Sequence, residues 1–93
     1  MESVLQKVKE CYVCSTTTNL HDHHVLFGTS NRKKSEKYGL KVWLCAYHHN
    51  MSNEGVHFNK ILDRALKLKA QAYFEENIGT RDDFIREFGK SYL

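Results

Sequence analysis

The sequence predicts a small α+β domain in which a β-hairpin is followed by helices. Three observations predict it: a histidine-rich apolar run at 20–27, a second apolar run at 40–45, and apolar spacing of three and four residues after residue 57. Glycine-bounded apolar runs are typical of strands, whereas the longer spacing is typical of amphipathic helices. At 93 residues, the chain is expected to form a single domain with a thin core.

Composition limits the class of protein. The three cysteines are an odd number, and two of them have the spacing Cys11-x-x-Cys14, which favours metal thiolates in a reducing compartment over disulfides. No apolar stretch has the length of a signal peptide core or a membrane span. We therefore expect a cytoplasmic protein with no membrane partner.

The elements are expected in the following order. Residues 20–27 are predicted to form the first strand and residues 40–45 the second, which together make a hairpin. The polar, basic segment 28–39 is predicted to be a loop with at most one helical turn. A short helix is expected over 47–53, ended by Gly55, because glycine accepts the left-handed conformation common at helix C-termini.

Residues 58–93 are predicted to be helical. Six apolar residues recur at helical spacing and are expected to pack in the core: Phe58, Ile61, Leu62, Ala65, Leu68 and Ala72. Thr80-Arg-Asp-Asp83 resembles a capping box with Asp in place of the usual Glu or Gln, so a last helix is expected to begin there and end at Gly89. Its buried face is expected to consist of Phe84, Ile85 and Phe88.

The cysteines predict a zinc site. Zn²⁺ prefers four tetrahedral thiolate or imidazole ligands, and a two-residue spacer lets one tight turn offer two of them. Two such segments supply four ligands: Cys11, Cys14, Cys45 and His48. The sequence leaves open whether His49 replaces His48 as the fourth ligand. The alternative, small buried cysteines beside a surface histidine, is less consistent with two correctly spaced segments.

Positive charge is concentrated between residues 29 and 41. The charged residues in this segment are Arg32, Lys33, Lys34, Glu36, Lys37 and Lys41, which give it a net charge of +4. A basic segment beside a metal site indicates a polyanionic partner, most simply the phosphates of nucleic acid. A solvated, lysine-rich loop is the alternative, and charge alone does not separate the two.

A cluster of histidines precedes the apolar run, in His21-Asp22-His23-His24-Val25. Together with Cys11-x-x-Cys14 and Leu44-Cys45-x-x-His48-His49, it resembles the HNH nucleases of the His-Me finger group, in particular the small HNH proteins carried by bacteriophages. The resemblance covers about residues 11–57. It implies a zinc-stabilised ββα-metal fold ahead of the helices predicted at 58–93, the activity of a metal-dependent DNA endonuclease or nickase, and a location in the host cytoplasm if a phage encodes it.

The resemblance also implies roles for single residues. The family motif is an Asp or His followed by the catalytic His and an aliphatic residue, so His24 is expected to be the general base and His23 a ligand of the catalytic metal. His49 matches the ligand carried by the family's helix, and His57 is a candidate third ligand. In the competing register, His23 is the base and Asp22 the ligand.

The chemistry of a phosphodiester hydrolase suits these residue types. A water must be deprotonated near neutral pH, for which histidine's ordinary pKa of about 6.5 is appropriate. One divalent ion, Mn²⁺, Ni²⁺, Co²⁺ or Mg²⁺, would stabilise charge on the phosphate and the leaving oxygen. The side chains expected to bind DNA phosphates are Arg32, Lys33, Lys34 and Lys37. Without a base-reading element, cleavage is expected to have low sequence specificity or to depend on a partner protein.

Two features of the sequence depart from this interpretation. The family has an Asn shortly before the Leu-Cys pair, where this chain reads Tyr38-Gly39-Leu40-Lys41, and the nearest asparagine is Asn31. In addition, adjacent strand residues point to opposite faces, so His23 and His24 can serve one phosphate only at a strand edge or kink. Two other interpretations stay open: a non-enzymatic zinc-finger module that binds nucleic acid with a vestigial histidine cluster, and a zinc-stabilised protein-interaction domain.

Overall fold

The computed structural model describes residues 2–52 and 55–93. These residues form one two-stranded antiparallel sheet and four helices, which confirms the predicted α+β class. The strands are β1 (Leu20–His24) and β2 (Lys41–Cys45). The helices are α1 (Thr29–Tyr38), α2 (Ala46–His49), α3 (Lys60–Asn77) and α4 (Arg81–Phe88).

The hairpin pairs β1 with β2 so that Leu20 lies opposite Cys45 and His24 opposite Lys41. The predicted first strand was too long, because pairing ends at His24. Beyond it, the Leu26 N–H donates to Ser35 Oγ at 3.1 Å, and Ser35 Oγ–H donates to the Leu26 carbonyl at 2.7 Å. The Ser35 hydroxyl, on α1, therefore satisfies the backbone groups of Leu26 that a strand partner would otherwise bond.

The segment predicted to be a basic loop is in fact the ten-residue helix α1. Gly28 precedes it with φ of 104°, and Gly39 ends it in the left-handed conformation with φ of 71°. The prediction was wrong because the buried residue of this helix is the polar Ser35. With Tyr38 as its one apolar side chain, α1 has no apolar periodicity that would indicate a helix.

The apolar stripe predicted for α3 was wrong in register. The residues that α3 buries are Leu66, Ala70, Gln71 and Phe74. Phe58 and Ile61 are 63 % and 85 % exposed, and Ala65 and Ala72 are also exposed. Of the predicted set, Leu62 packs partly against the core and Leu68 is half-buried. The sequence holds two apolar series at helical spacing, and the one with Leu66 and Phe74 is the one that packs in the core.

Helix α4 begins with the predicted capping box. The Asp83 N–H donates to Thr80 Oγ1 at 3.1 Å, and the Thr80 N–H donates to Asp83 Oδ2 at 2.9 Å. Phe84 and Phe88 are buried as predicted, whereas Ile85 is 38 % exposed. Helix α4 packs against α1 and α3, and the aromatic rings of Phe74, Phe84 and Phe88 meet there.

Helix α2 follows β2 directly and covers four residues, fewer than predicted. The predicted end at Asn53 lies outside the described residues. The Ala46 N–H donates to the Asn19 carbonyl at 2.9 Å, which ties the start of α2 to the chain just before β1. None of the helices in the described part of the chain has the length and apolarity needed to cross a membrane.

Candidate functional site

Four metal-ligating side chains converge where β2 meets α2. Cys11 and Cys14 come from the segment before β1, Cys45 ends β2, and His48 lies in α2. The four ligand atoms all lie within 4.8 Å of one another. The Sγ atoms of Cys14 and Cys45 are 3.8 Å apart, and His48 Nδ1 is 3.3 Å from Cys45 Sγ and 3.7 Å from Cys11 Sγ. This group could hold one metal ion, and it contains His48 rather than His49.

A tight turn presents the first two thiols. The Ser15 N–H donates to the Cys11 carbonyl at 2.9 Å, and the Cys11 N–H donates to the Thr16 carbonyl at 2.8 Å. Ser15 has φ of 64°, a left-handed conformation that closes the turn. The Tyr12 N–H donates to the Trp43 carbonyl at 2.8 Å. The turn is thereby tied to β2, which supplies the third thiol.

The spacing of these atoms fits a tetrahedral zinc ion. Zn–S bonds of about 2.3 Å place two sulfurs about 3.8 Å apart, and a sulfur and a nitrogen about 3.5 Å apart. Burial raises the pKa of Cys11, but hydrogen bonds from the backbone at Cys45, Cys14 and Val13 outweigh it and lower the pKa to about 6. The thiolate, which is the form that binds metals, is therefore favoured at this position.

Three further histidines converge in a second group. His23 lies in β1, His49 in α2 and His57 between α2 and α3, with ligand nitrogens within 4.8 Å of one another. His57 Nε2 is 3.2 Å from His49 Nε2, close to the separation of about 3.3 Å for two imidazole ligands of a tetrahedral ion. The structure therefore brings together all three residues that the sequence assigned to a second metal.

His23 has an unsatisfied polar atom. The residue is 2 % exposed, and among the described residues its Nε2 has no hydrogen-bond partner. A buried polar group without a partner is costly and calls for an explanation, such as a bound ion. Burial, with the neighbouring His49, His57, His24 and Lys67 adding to it, lowers the pKa of His23 to about 3.

The pKa of His49 is lowered for the same kinds of reason as that of His23. Burial is again the largest cause, the neighbouring His57 and His21 add to it, and together they lower the pKa of His49 to about 4. At neutral pH both His23 and His49 are therefore uncharged. The neutral imidazole has the free lone pair that a metal ligand requires.

His24, at the end of β1, has different neighbours. Its Nε2 is 3.0 Å from Glu36 Oε1, and Lys41 Nζ donates to both oxygens of Glu36 at 3.0 and 3.1 Å. Lys41 also donates to Asp22 Oδ2 at 3.1 Å. Ligand atoms of Asp22, His24 and Glu36 lie within 4.8 Å of one another, but the Lys41 ammonium bonds both carboxylates. This group is thus better described as an ion-pair network than as a metal site.

The histidines share one cleft. A cavity of about 390 Å³ is lined by His23, His24, His49 and His57, and also by Thr29 and Arg32 at the start of α1. A larger cavity of about 680 Å³ lies around Trp43 and Lys9 and has none of the six histidines in its lining. The smaller cleft is therefore the one in which the chemistry of these side chains could act on a ligand.

The basic residues predicted to bind phosphates all lie on α1, but not in equivalent places. Arg32 lines the cleft, and Lys33 and Lys37 are exposed. Lys34 Nζ instead donates to the Glu87 carbonyl at 2.6 Å and lies 3.6 Å from the Glu87 carboxylate. Lys34 is therefore engaged in attaching α1 to α4.

Sequence reasoning missed two contributors to this site. The first is Glu36. It is the one acid in a basic segment, and no sequence pattern marks it as a partner of His24. The second is His21, whose Nδ1 lies 2.8 Å from His49 Nδ1. Asn31, the asparagine nearest the histidine cluster, donates to the Phe88 carbonyl at 3.4 Å, which places it against α4. The register of the hairpin could have indicated part of the network, since it sets His24 opposite Lys41.

The chain was compared with protein-family models, with curated proteins and with solved structures, and none of them matched.

Proposed function

We propose that the chain is a metal-dependent endonuclease of the HNH, or His-Me finger, type, which hydrolyses phosphodiester bonds of DNA. The observation that carries this proposal is the cleft in which three imidazole nitrogens converge beside a fourth histidine paired with a carboxylate. His23, whose buried Nε2 has no hydrogen-bond partner in the described part of the chain, belongs to the three imidazoles, and His24 with Glu36 forms the histidine–carboxylate pair. A divalent ion next to a positioned base is the arrangement that hydrolytic nucleases require.

The two ligand groups suit different tasks. Four protein ligands complete the coordination sphere of a tetrahedral ion and leave no position for substrate. The zinc held by Cys11, Cys14, Cys45 and His48 would therefore only stabilise the fold. Three protein ligands leave a coordination position open to substrate, which is typical of catalytic sites. We therefore assign the histidine group to the catalytic metal and the cysteine group to a structural zinc.

The order of elements supports a ββα-metal unit. In this unit a hairpin is followed by a helix, and here β1 and β2 are followed by α2, which carries His49. Ser35 could take over the task of the family's middle Asn, because it bonds both backbone groups of Leu26, two residues after His24. His23 and His24 are both paired within β1, yet both line the same cleft, so the alternation of strand residues does not exclude a shared phosphate.

His24 would accept the proton of the attacking water. Its Nε2 is next to Glu36 Oε1, so in the neutral imidazole Nε2–H donates to the carboxylate and Nδ1 is left as the base. Glu36 then stabilises the imidazolium that forms, as a carboxylate does behind other catalytic histidines. The Lys41 ammonium, bonded to both oxygens of Glu36, favours the ionised carboxylate.

The substrate would lie between the histidines and α1. A divalent ion bound by His23, His49 and His57 would supply electrophilic stabilisation for the phosphate and the leaving 3′ oxygen. Arg32, which lines the same cleft, would bind a neighbouring phosphate, and the exposed Lys33 and Lys37 would extend this contact along the strand.

The decisive experiment incubates zinc-loaded protein with supercoiled plasmid across Mg²⁺, Mn²⁺, Co²⁺, Ni²⁺ and Zn²⁺. We expect nicking by the natural chain and a loss of about 10² to 10⁴ in rate for His24→Ala, the usual contribution of a positioned base. Tyr47→Ala, an exposed site on α2 outside the cleft, is the matched control and should cleave normally.

Three outcomes would change the proposal. If His23→Ala abolishes cleavage with both metals retained while His24→Ala barely matters, the base moves to His23 and its ligand partner to Asp22. If plasmid is bound but not cut with any metal, the protein is instead the non-enzymatic module that binds nucleic acid. If plasmid is neither bound nor cut, the zinc-stabilised protein-interaction domain is the interpretation that stands.

A further inference from the structure

His21 is the one histidine among the six that the proposed site does not use. It lies in β1, opposite Leu44 in the hairpin register, and is half-buried. Its Nδ1 is 2.8 Å from His49 Nδ1, and the two rings meet edge to face with centroids 4.9 Å apart. Two ring nitrogens at this distance share a hydrogen bond. One of them therefore carries a proton and the other does not.

The metal-binding role of His49 determines which nitrogen is the donor. His49 Nε2 faces His57 Nε2 at 3.2 Å, so it is the nitrogen directed toward the three-histidine group. A neutral imidazole that binds a metal through Nε2 has its proton on Nδ1. The His49 Nδ1–H therefore donates to His21 Nδ1, and His21 carries its own proton on Nε2.

We propose that His21 is a positioning residue for the three-histidine metal site. By accepting the hydrogen bond from His49, it selects the tautomer and ring plane in which His49 Nε2 points at the ion. Histidine ligands commonly donate their second N–H to a fixed partner of this kind, and loss of the partner typically lowers metal affinity by about 10- to 100-fold. This inference rests on the metal site of the proposed function.

The fold holds both rings in place. The β1–β2 ladder fixes the backbone of His21, and the hydrogen bond from Ala46 to Asn19 fixes the start of α2 beside it. His48 and His49 are consecutive on α2 yet belong to different ligand groups. A structural zinc would orient His48 directly, whereas His49 has His21 as the partner of its other nitrogen.

The test is a titration of zinc-loaded protein with Co²⁺, followed by calorimetry and by visible absorption, with zinc content measured afterwards. His21→Leu, which keeps similar bulk but has no acceptor, should bind Co²⁺ about 10- to 100-fold more weakly with an unchanged circular dichroism spectrum. His21→Asn is the matched variant, because its amide oxygen can stand where Nδ1 stands. It should recover most of the affinity, which a merely structural role for the ring would not predict.

A second readout is the tautomer of His49 in the absence of Co²⁺, from long-range ¹H–¹⁵N correlations. We expect the Nδ1–H form in the natural chain and loss of that preference in His21→Leu. Equal Co²⁺ affinity in the natural chain and His21→Leu would overturn the role of His21, as would an Nε2–H tautomer in the natural chain. Absence of any Co²⁺ site beyond the zinc would instead overturn the metal site itself. Co²⁺ binding without plasmid cleavage would remove the nuclease and keep the role of His21.

Discussion

The sulfur atoms of Cys14 and Cys45 lie 3.8 Å apart although 31 positions separate the two residues in the chain. One cysteine sits in the turn before β1 and the other at the end of β2. A metal held there would cross-link the N-terminal segment to the hairpin. It would do so in a chain whose size allows only a thin hydrophobic core.

The first prediction is that Cys14→Ser leaves a largely unfolded chain. Metal binding at structural zinc sites is worth on the order of 10 kcal/mol, which is comparable to the entire stability of a small domain. Cys14 is exposed, so its substitution removes a ligand and little packing. Circular dichroism and elemental analysis are the measurements, with Val13→Ser, an exposed site in the same turn, as the control. A folded, zinc-free Cys14→Ser protein would contradict the assignment.

The second prediction concerns pH and His23. Its pKa is lowered to about 3 in the folded protein by burial and by the neighbouring imidazoles, whereas in the unfolded chain it is about 6.5. Between these values the unfolded chain binds a proton that the folded chain does not, so unfolding is favoured as pH falls. This contribution to stability is complete above about pH 6.5 and is lost progressively toward pH 3.

For zinc-loaded protein without an ion at the three histidines, the unfolding free energy should fall between pH 7 and pH 5, and His23 should account for about 1 to 2 kcal/mol of that fall. Denaturant unfolding measures it, and His23→Leu should show a flatter dependence over the same range. Because both proteins release the same zinc on unfolding, their difference isolates His23. Parallel curves for the two proteins would mean that His23 titrates as an ordinary histidine.

The third prediction separates the basic residues of α1. Replacing Arg32, Lys33 and Lys37 with Ala should weaken DNA binding at every sequence and flatten its salt dependence, by about 0.9 in log–log slope for each phosphate that is no longer neutralised. Lys34→Ala should leave the slope unchanged and cost up to about 1 kcal/mol of stability, since Lys34 pairs with Glu87 at a partly exposed site. An unchanged slope in the triple variant would show that α1 is merely solvated.

The sequence was sufficient for features that depend on local spacing. The two-residue spacers of the cysteine segments anticipated the group of Cys11, Cys14, Cys45 and His48, which the structure brings within 4.8 Å. The capping box at Thr80 was also predictable, because both of its hydrogen bonds join residues three positions apart. The strands were predictable from β-forming runs, apart from the end of the first.

Other features depend on packing between distant segments. Helix α1 was missed because it packs through Ser35, and a buried hydroxyl leaves no apolar pattern. The face of α3 was misassigned because two apolar series one residue apart compete, and only the packed structure selects the one with Leu66 and Phe74. The pairing of His24 with Glu36 depends in turn on α1 being a helix, so a sequence that predicts a loop there cannot indicate it.

The ligand types at the three-histidine site bear on which metal would serve it. His23, His49 and His57 offer imidazole nitrogens, which suit the later transition ions, whereas Mg²⁺ prefers oxygen ligands and retains its water. A carboxylate ligand would make the site more suitable for Mg²⁺. Asp22 is the nearest carboxylate to His23 in the sequence. Its Oδ2 is engaged by Lys41 at 3.1 Å, and the residue is absent from the three-histidine group.

The fourth prediction is therefore that cleavage with Mn²⁺, Ni²⁺ or Co²⁺ exceeds cleavage with Mg²⁺ at equal concentration. Mn²⁺ combines tolerance of nitrogen ligands with affinity for phosphate oxygen, and Zn²⁺ is expected to bind well but to inhibit by holding its ligands tightly. Initial rates of plasmid nicking measure the order, with Asp22→Ala as the informative variant. Asp22→Ala removes only the ion pair with Lys41 if the three histidines are the ligands, so the order of metals should be preserved. If Mg²⁺ instead gives the highest rate and Asp22→Ala abolishes it, Asp22 replaces His23 as the ligand and His23 becomes the base.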